Sequence, residues 1–165
     1  MIRSIRRRAE AVRTIGRLLP AAEKEAQRDG RSEPAAEDLV LAALALPDGA
    51  ARRVLAAVGC GPDDLRAALA GQHADALRAM GIVGEVGEGQ LPPPATPAGI
   101  YRSTGSAQEL FQEVTRRQRK AGRPLTSAWF LLVGAEREQG SLARAFAALG
   151  LDRADVVRAA ESEIQ

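Results

Sequence analysis

Apolar residues recur three and four positions apart along most of the chain, the period of helices that bury one face. No convincing run of alternating β-branched residues points to a strand. The run from Asp38 to Leu44 is apolar after its first residue, as is Trp129 to Val133. Both read as short, deeply buried helices, over roughly residues 35–46 and 126–137. Alanine-rich stretches follow each, ending at Gly59 and at Gly150. Beyond those glycines, Pro62, Asp63 and Asp64 open one further helix, and Asp152 to Asp155 open another. Proline at the first helical position and carboxylates in the first turn suit a helix start, and Asp152 is a natural N-cap.

The elements repeat in order. At one constant offset Gly49 pairs with Gly140, Arg53 with Arg144, Leu55 with Phe146, Gly59 with Gly150, and Asp64 with Asp155. Upstream, the run at Asp38 matches the run at Trp129, and Gly30 matches Gly122 after a one-residue shift. A repeat of this length is one structural unit used twice. The expected fold is therefore all-α, two pseudo-twofold-related four-helix repeats with an additional basic N-terminal helical segment. The boundaries follow: an extension over 1–13, repeat one over 14–80, a Gly/Pro-rich linker over 81–103, and repeat two over 104–165. Gly84, Gly87, Gly89 and Pro92 to Pro94 mark the linker. Ser103 and Thr104 are candidate caps for the helix that follows it. Pro20 falls inside the first helix, where proline costs ~3 kcal/mol. A kink there is expected, or two pieces over about 3–18 and 20–29.

Composition narrows the function classes. Of 165 residues, 45% are apolar but only 3% aromatic, which favours close-packed alanine helices over sheets. A net charge of +2 does not by itself call for nucleic acid. The cations are unevenly placed, with Arg3, Arg6, Arg7 and Arg8 forming a basic patch near the start, read first as a solvated helix face. The run Arg116 to Lys120 suits the C-terminal dipole of its own helix. One cysteine, Cys60, permits no internal disulfide and suits a reducing compartment. No apolar run is long enough to span a bilayer, and no secretion signal is read, so the expected location is cytoplasmic.

Chemistry-bearing motifs are sparse. No phosphate-binding Gly-rich loop with its lysine is present, so P-loop ATP hydrolysis is excluded. Cys60 and His73 are single representatives of their types and form neither a metal set nor a supported nucleophile–base pair. No catalytic residue, metal ligand or cofactor is expected, and the chain is not expected to be an enzyme. Trp129 and Phe130 read as core.

Two copies of a helix ending in glycine, then Glu37 to Leu44, then Gly49 to Gly59, resemble the amino-terminal domain of the Clp ATPase unfoldases, the Clp repeat. Ser106 and Ala107 after Thr104 look like the opening of the family's second repeat. The segment from His73 to Ile82 is similar to stand-alone actinobacterial members. The resemblance covers roughly residues 14–163. It implies a non-catalytic adaptor or accessory of Clp-type ATP-dependent proteolysis. Expected partners are Clp ATPase or protease components, or their client proteins and peptides, with no membrane and no leading role for nucleic acid. Phosphoarginine and cyclic peptides are further ligands the resemblance implies. The candidate ligand-binding residues at the matching positions are Glu37, Asp38, Thr104, Ser127 and Trp129, with Asp38 and Trp129 standing where the family usually has histidine. The chain departs from the family at Asp38, where a histidine is usual, and at Ala128, which replaces the second glutamate. A symmetric pair of guanidinium-binding carboxylates is thereby lost. Read without the resemblance, Glu37 is a first-turn carboxylate favouring its helix dipole. The alternatives are a nucleic-acid-associated regulator using the basic N-terminal helix, and a sink for antibiotic-like cyclic peptides.

Overall fold

The computed structural model describes residues 2–81 and 103–165, with side chains from Ile5 onward. Residues 82–102 of the expected linker and the Arg3 side chain therefore lie outside the described residues. Those residues form eight helices and no strand. They are α1 (Ile2–Arg28), α2 (Ala36–Leu44), α3 (Ala50–Ala57), α4 (Pro62–Ala79), α5 (Gly105–Ala121), α6 (Ala128–Glu136), α7 (Ser141–Ala148) and α8 (Arg153–Ile164). The described residues are all-α, as the periodicity of the chain predicts.

α2 and α6 form the centre. Every residue of α6 from Ala128 to Ala135 is buried, and in α2 only Glu37 is not. A helix apolar on all sides must be covered on all sides. α1 and α4 pack on α2, α5 and α8 pack on α6, and α2 lies against α6. α3 meets α8 and α4 meets α7, so each half lends its last helix to the other half's third. Gly134 makes the central approach possible: a Cβ there would stand 3.0 Å from Val40 Cγ2 and 3.3 Å from Leu142 Cδ1.

Local signals hold where they were expected. Gly59 and Gly150 take left-handed backbone, φ 74° and 68°. The following N–H groups, of Cys60 and Leu151, donate to the Leu55 and Phe146 carbonyls at 3.0 and 2.9 Å. This is the Schellman closure that glycine permits without a Cβ clash. Asp152 caps α8 by accepting from the Ala154 N–H at 2.8 Å, and Pro62 opens α4. Phe130 and Trp129 are core residues, and His73 is exposed on α4.

At Pro20 the structure rules out one of the two expected arrangements: α1 runs unbroken from Ile2 to Arg28 with Pro20 inside it, and not as two pieces over about 3–18 and 20–29. The reason is placement. Pro20 and Gly16, the residue whose carbonyl loses its donor, are both exposed, so water can replace the bond. Leu18 and Ala22 on the opposite side are fully buried, which anchors the helix on both sides of the proline.

Candidate functional site

At the starts of the two central helices the halves touch through polar groups. At the start of α2, the Ala36 N–H donates to Ser106 Oγ at 3.2 Å. The Thr104 N–H donates to the Pro34 carbonyl at 2.9 Å. Thr104 also caps α5, its hydroxyl accepting from the Ala107 N–H at 3.4 Å and lying 3.0 Å from Ser106 Oγ. Orphan N–H groups at a helix start need such partners. For the Ala36 N–H the partner comes from the opposite half.

Asp38 is closed to solvent, 0% exposed. Arg31 donates to its two carboxylate oxygens at 2.6 and 2.8 Å, and the Ala35 N–H donates to it at 2.7 Å. Burial by itself lowers the Arg31 pKa. The Asp38 bonds and charge, helped by Asp29 and Glu37, outweigh it and hold the guanidinium above its ordinary value. Asp38 thus closes the start of α2 from within. Glu37, beside it, is half-exposed and makes no hydrogen bond among the described residues.

The start of α6 is built differently. Ser127 is fully buried. Its N–H donates to Asp48 Oδ2 at 2.8 Å and its hydroxyl to Asp48 Oδ1, while the Ala51 N–H donates to Ser127 Oγ at 2.8 Å. Asp48 from the α2–α3 loop therefore satisfies the polar groups at the start of α6. Thr14 Oγ1 contributes a longer bond to the Leu125 carbonyl, 3.5 Å. Trp129 is buried, its indole N–H donating to the Pro124 carbonyl at 3.0 Å.

Of the five candidate residues, Glu37 and Thr104 are partly exposed, one in the first turn of α2 and the other at the cap of α5. Asp38, Ser127 and Trp129 are inside. Next to Thr104 opens a cleft of about 300 Å3, with Leu19, Leu39, Ala107 and Phe111 as its apolar walls and Ser103, Gln108 and Gln112 as polar ones. The cleft offers an apolar recess edged by a hydroxyl and two amides, which suits a small ligand of mixed polarity. Arg31, Asp48 and Ser106 escaped the sequence reading. One signal was available: at the one-residue shift that relates Gly30 to Gly122, Thr14 pairs with Ser106.

The basic residues divide. Arg7 Nη1 donates to the Gly122 carbonyl at 2.5 Å, a cation on the C-terminal end of α5. Arg6 and Arg8 are exposed. Arg116 and Arg117 pair with Glu113, and Arg117 with Glu136 as well. Burial, with the Asp64 charge, pushes the Cys60 thiol up, away from the reactive thiolate. No described helix is long and apolar enough to cross a membrane.

No family model matches the chain, and no curated protein matches it in sequence.

Proposed function

We propose that this chain is a non-catalytic protein- and peptide-binding module of the Clp amino-terminal type, two repeats related by a pseudo-twofold axis between α2 and α6. It serves Clp-type proteolysis as an adaptor or accessory. The observation that carries the reading is the reciprocal contact at the helix starts. Ser106 of the second half reaches the start of α2, and Asp48 and Thr14 of the first half reach the start of α6. The exchange of α3–α8 and α4–α7 packing supports the same axis. The ligand face is one-sided. Glu37 remains accessible at α2, whereas at α6 Ala128 supplies no carboxylate and the Asp48 carboxylate is engaged by Ser127.

Affinity capture with the immobilised full chain tests this. Clp subunits or client peptides should be retained from native cytoplasm, with retention falling about tenfold in Glu37→Gln through loss of charge-assisted bonds. Retention of neither by the unaltered chain refutes the proposal. The apolar cleft at Leu39 and Phe111 favours one second reading, a sink for small apolar cyclic peptides. Such peptides would raise the melting temperature, and Phe111→Ala would remove the rise.

A further inference from the structure

The leading turns of α1 carry a second surface, beyond the α2–α5 cleft that Leu19 of the same helix lines. Every residue from Ile5 to Glu10 is exposed, and contact with the core begins at Ala11. Ile5 and Val12 are 62% and 70% exposed, two large apolar side chains held in water. They are seven residues apart and so lie on one stripe, with Ala9 and Gly16 beside them. The stripe borders the core face, which carries Ala11, Ile15 and Leu18, and it runs on to Leu19, where the same seven-residue spacing meets the core. Arginines border it on both sides. Arg8 stands three residues after Ile5 and four before Val12, on one flank. Arg6 and Arg13, again seven apart, stand on the other, with Arg17 beyond. The ion pairs among the described residues include none of these four. Glu10 is the one carboxylate between residues 5 and 17.

We propose that the Ile5–Val12 stripe of α1, flanked by Arg6, Arg8 and Arg13, docks on an anionic lipid bilayer surface. A helix lying in the headgroup region puts its apolar stripe into the acyl boundary and its bordering cations at the phosphate level. Arginine stems reach outward from such a stripe while their guanidinium groups stay hydrated. The two other occupants fit only part of the surface. A second copy would bring two arginine borders together, and like charges repel. A nucleic acid would meet the arginines but leave Ile5 and Val12 without an apolar partner. The partner set expected from the sequence contained no membrane. The accessible pairing of apolar stripe and arginine borders is the reason to add one.

Flotation of the full chain with vesicles of phosphatidylglycerol and phosphatidylcholine in equal parts tests the proposal. Binding is expected there, weakened by salt and absent on phosphatidylcholine alone. Ile5→Ser with Val12→Ser should lower the bound fraction about tenfold, and Arg8→Gln with Arg13→Gln should do likewise. All four positions are exposed, so thermal melting should not change, which separates lost docking from lost fold. The proposal is overturned by absent binding, by equal binding to neutral vesicles, or by binding that ignores the Ile5/Val12 pair. A doubling of mass with concentration that this pair abolishes would assign the stripe to a second copy instead.

Discussion

Arg31 grips Asp38 through two parallel hydrogen bonds, 2.6 and 2.8 Å long, at the point where the chain enters α2. Asp38 is fully buried and Arg31 about one-quarter exposed. Removing the cation would strand a buried carboxylate. Arg31→Ala is expected to cost about 3 kcal/mol or more in urea unfolding. Asp38→Asn in that background should recover part of the loss, because the stranded charge is gone. An Arg31→Ala protein as stable as the parent would show that the pair holds nothing.

Gly134 sits where α6 crosses α2. A methyl group there would meet Val40 Cγ2 at 3.0 Å, and valine is stiff about its first torsion. Gly134→Ala gains helix propensity of about 1 kcal/mol, yet overpacking costs about 1–3 kcal/mol. Net destabilisation is expected. Val40→Ala should offset it, giving a favourable coupling in a double-mutant cycle. Strict additivity of the two changes would place the crossing elsewhere.

Pro20 lies on the wet side of an unbroken α1. Pro20→Ala restores an N–H aimed at the Gly16 carbonyl and relieves the ring clash. Stability should rise by about 1–3 kcal/mol, part of the interior-proline cost. The check is the denaturation midpoint, and a lower midpoint in the alanine protein would contradict an unbroken helix.

Glu113 accepts from both Arg116 and Arg117, and these bonds hold its carboxyl at about 2, below the ordinary carboxylate range. A depressed folded pKa stabilises above the unfolded value of about 4.3 and loses that contribution as pH falls through the folded one. The window is therefore about pH 4.5 down to 2. Carbon NMR of the Glu113 carboxyl should titrate near the bottom of this window. Glu113→Gln should flatten the acid limb of the stability curve, and a normal midpoint would show that the arginines stay in solvent.

What the sequence by itself determined was local. Helical period, the glycine closures at Gly59 and Gly150, the Asp152 cap and the burial of Trp129 each depend on a few neighbouring residues or on a wholly apolar run. They are legible because backbone geometry and hydrophobicity act at short range. The tertiary structure decided which polar groups meet. Asp48 reaches Ser127, and Ser106 reaches Ala36, only because α2 and α6 cross as they do. That crossing makes Ser127 an internal anchor and leaves Glu37 and Thr104 at the surface. It also decided the fate of Pro20, since a proline is tolerated or excluded by the side of the helix that faces water. The arginines of α1 follow the same rule. Their number is plain in the chain, but the docking of α1 on α2, with Arg7 on the end of α5, selects which of them border an open apolar stripe.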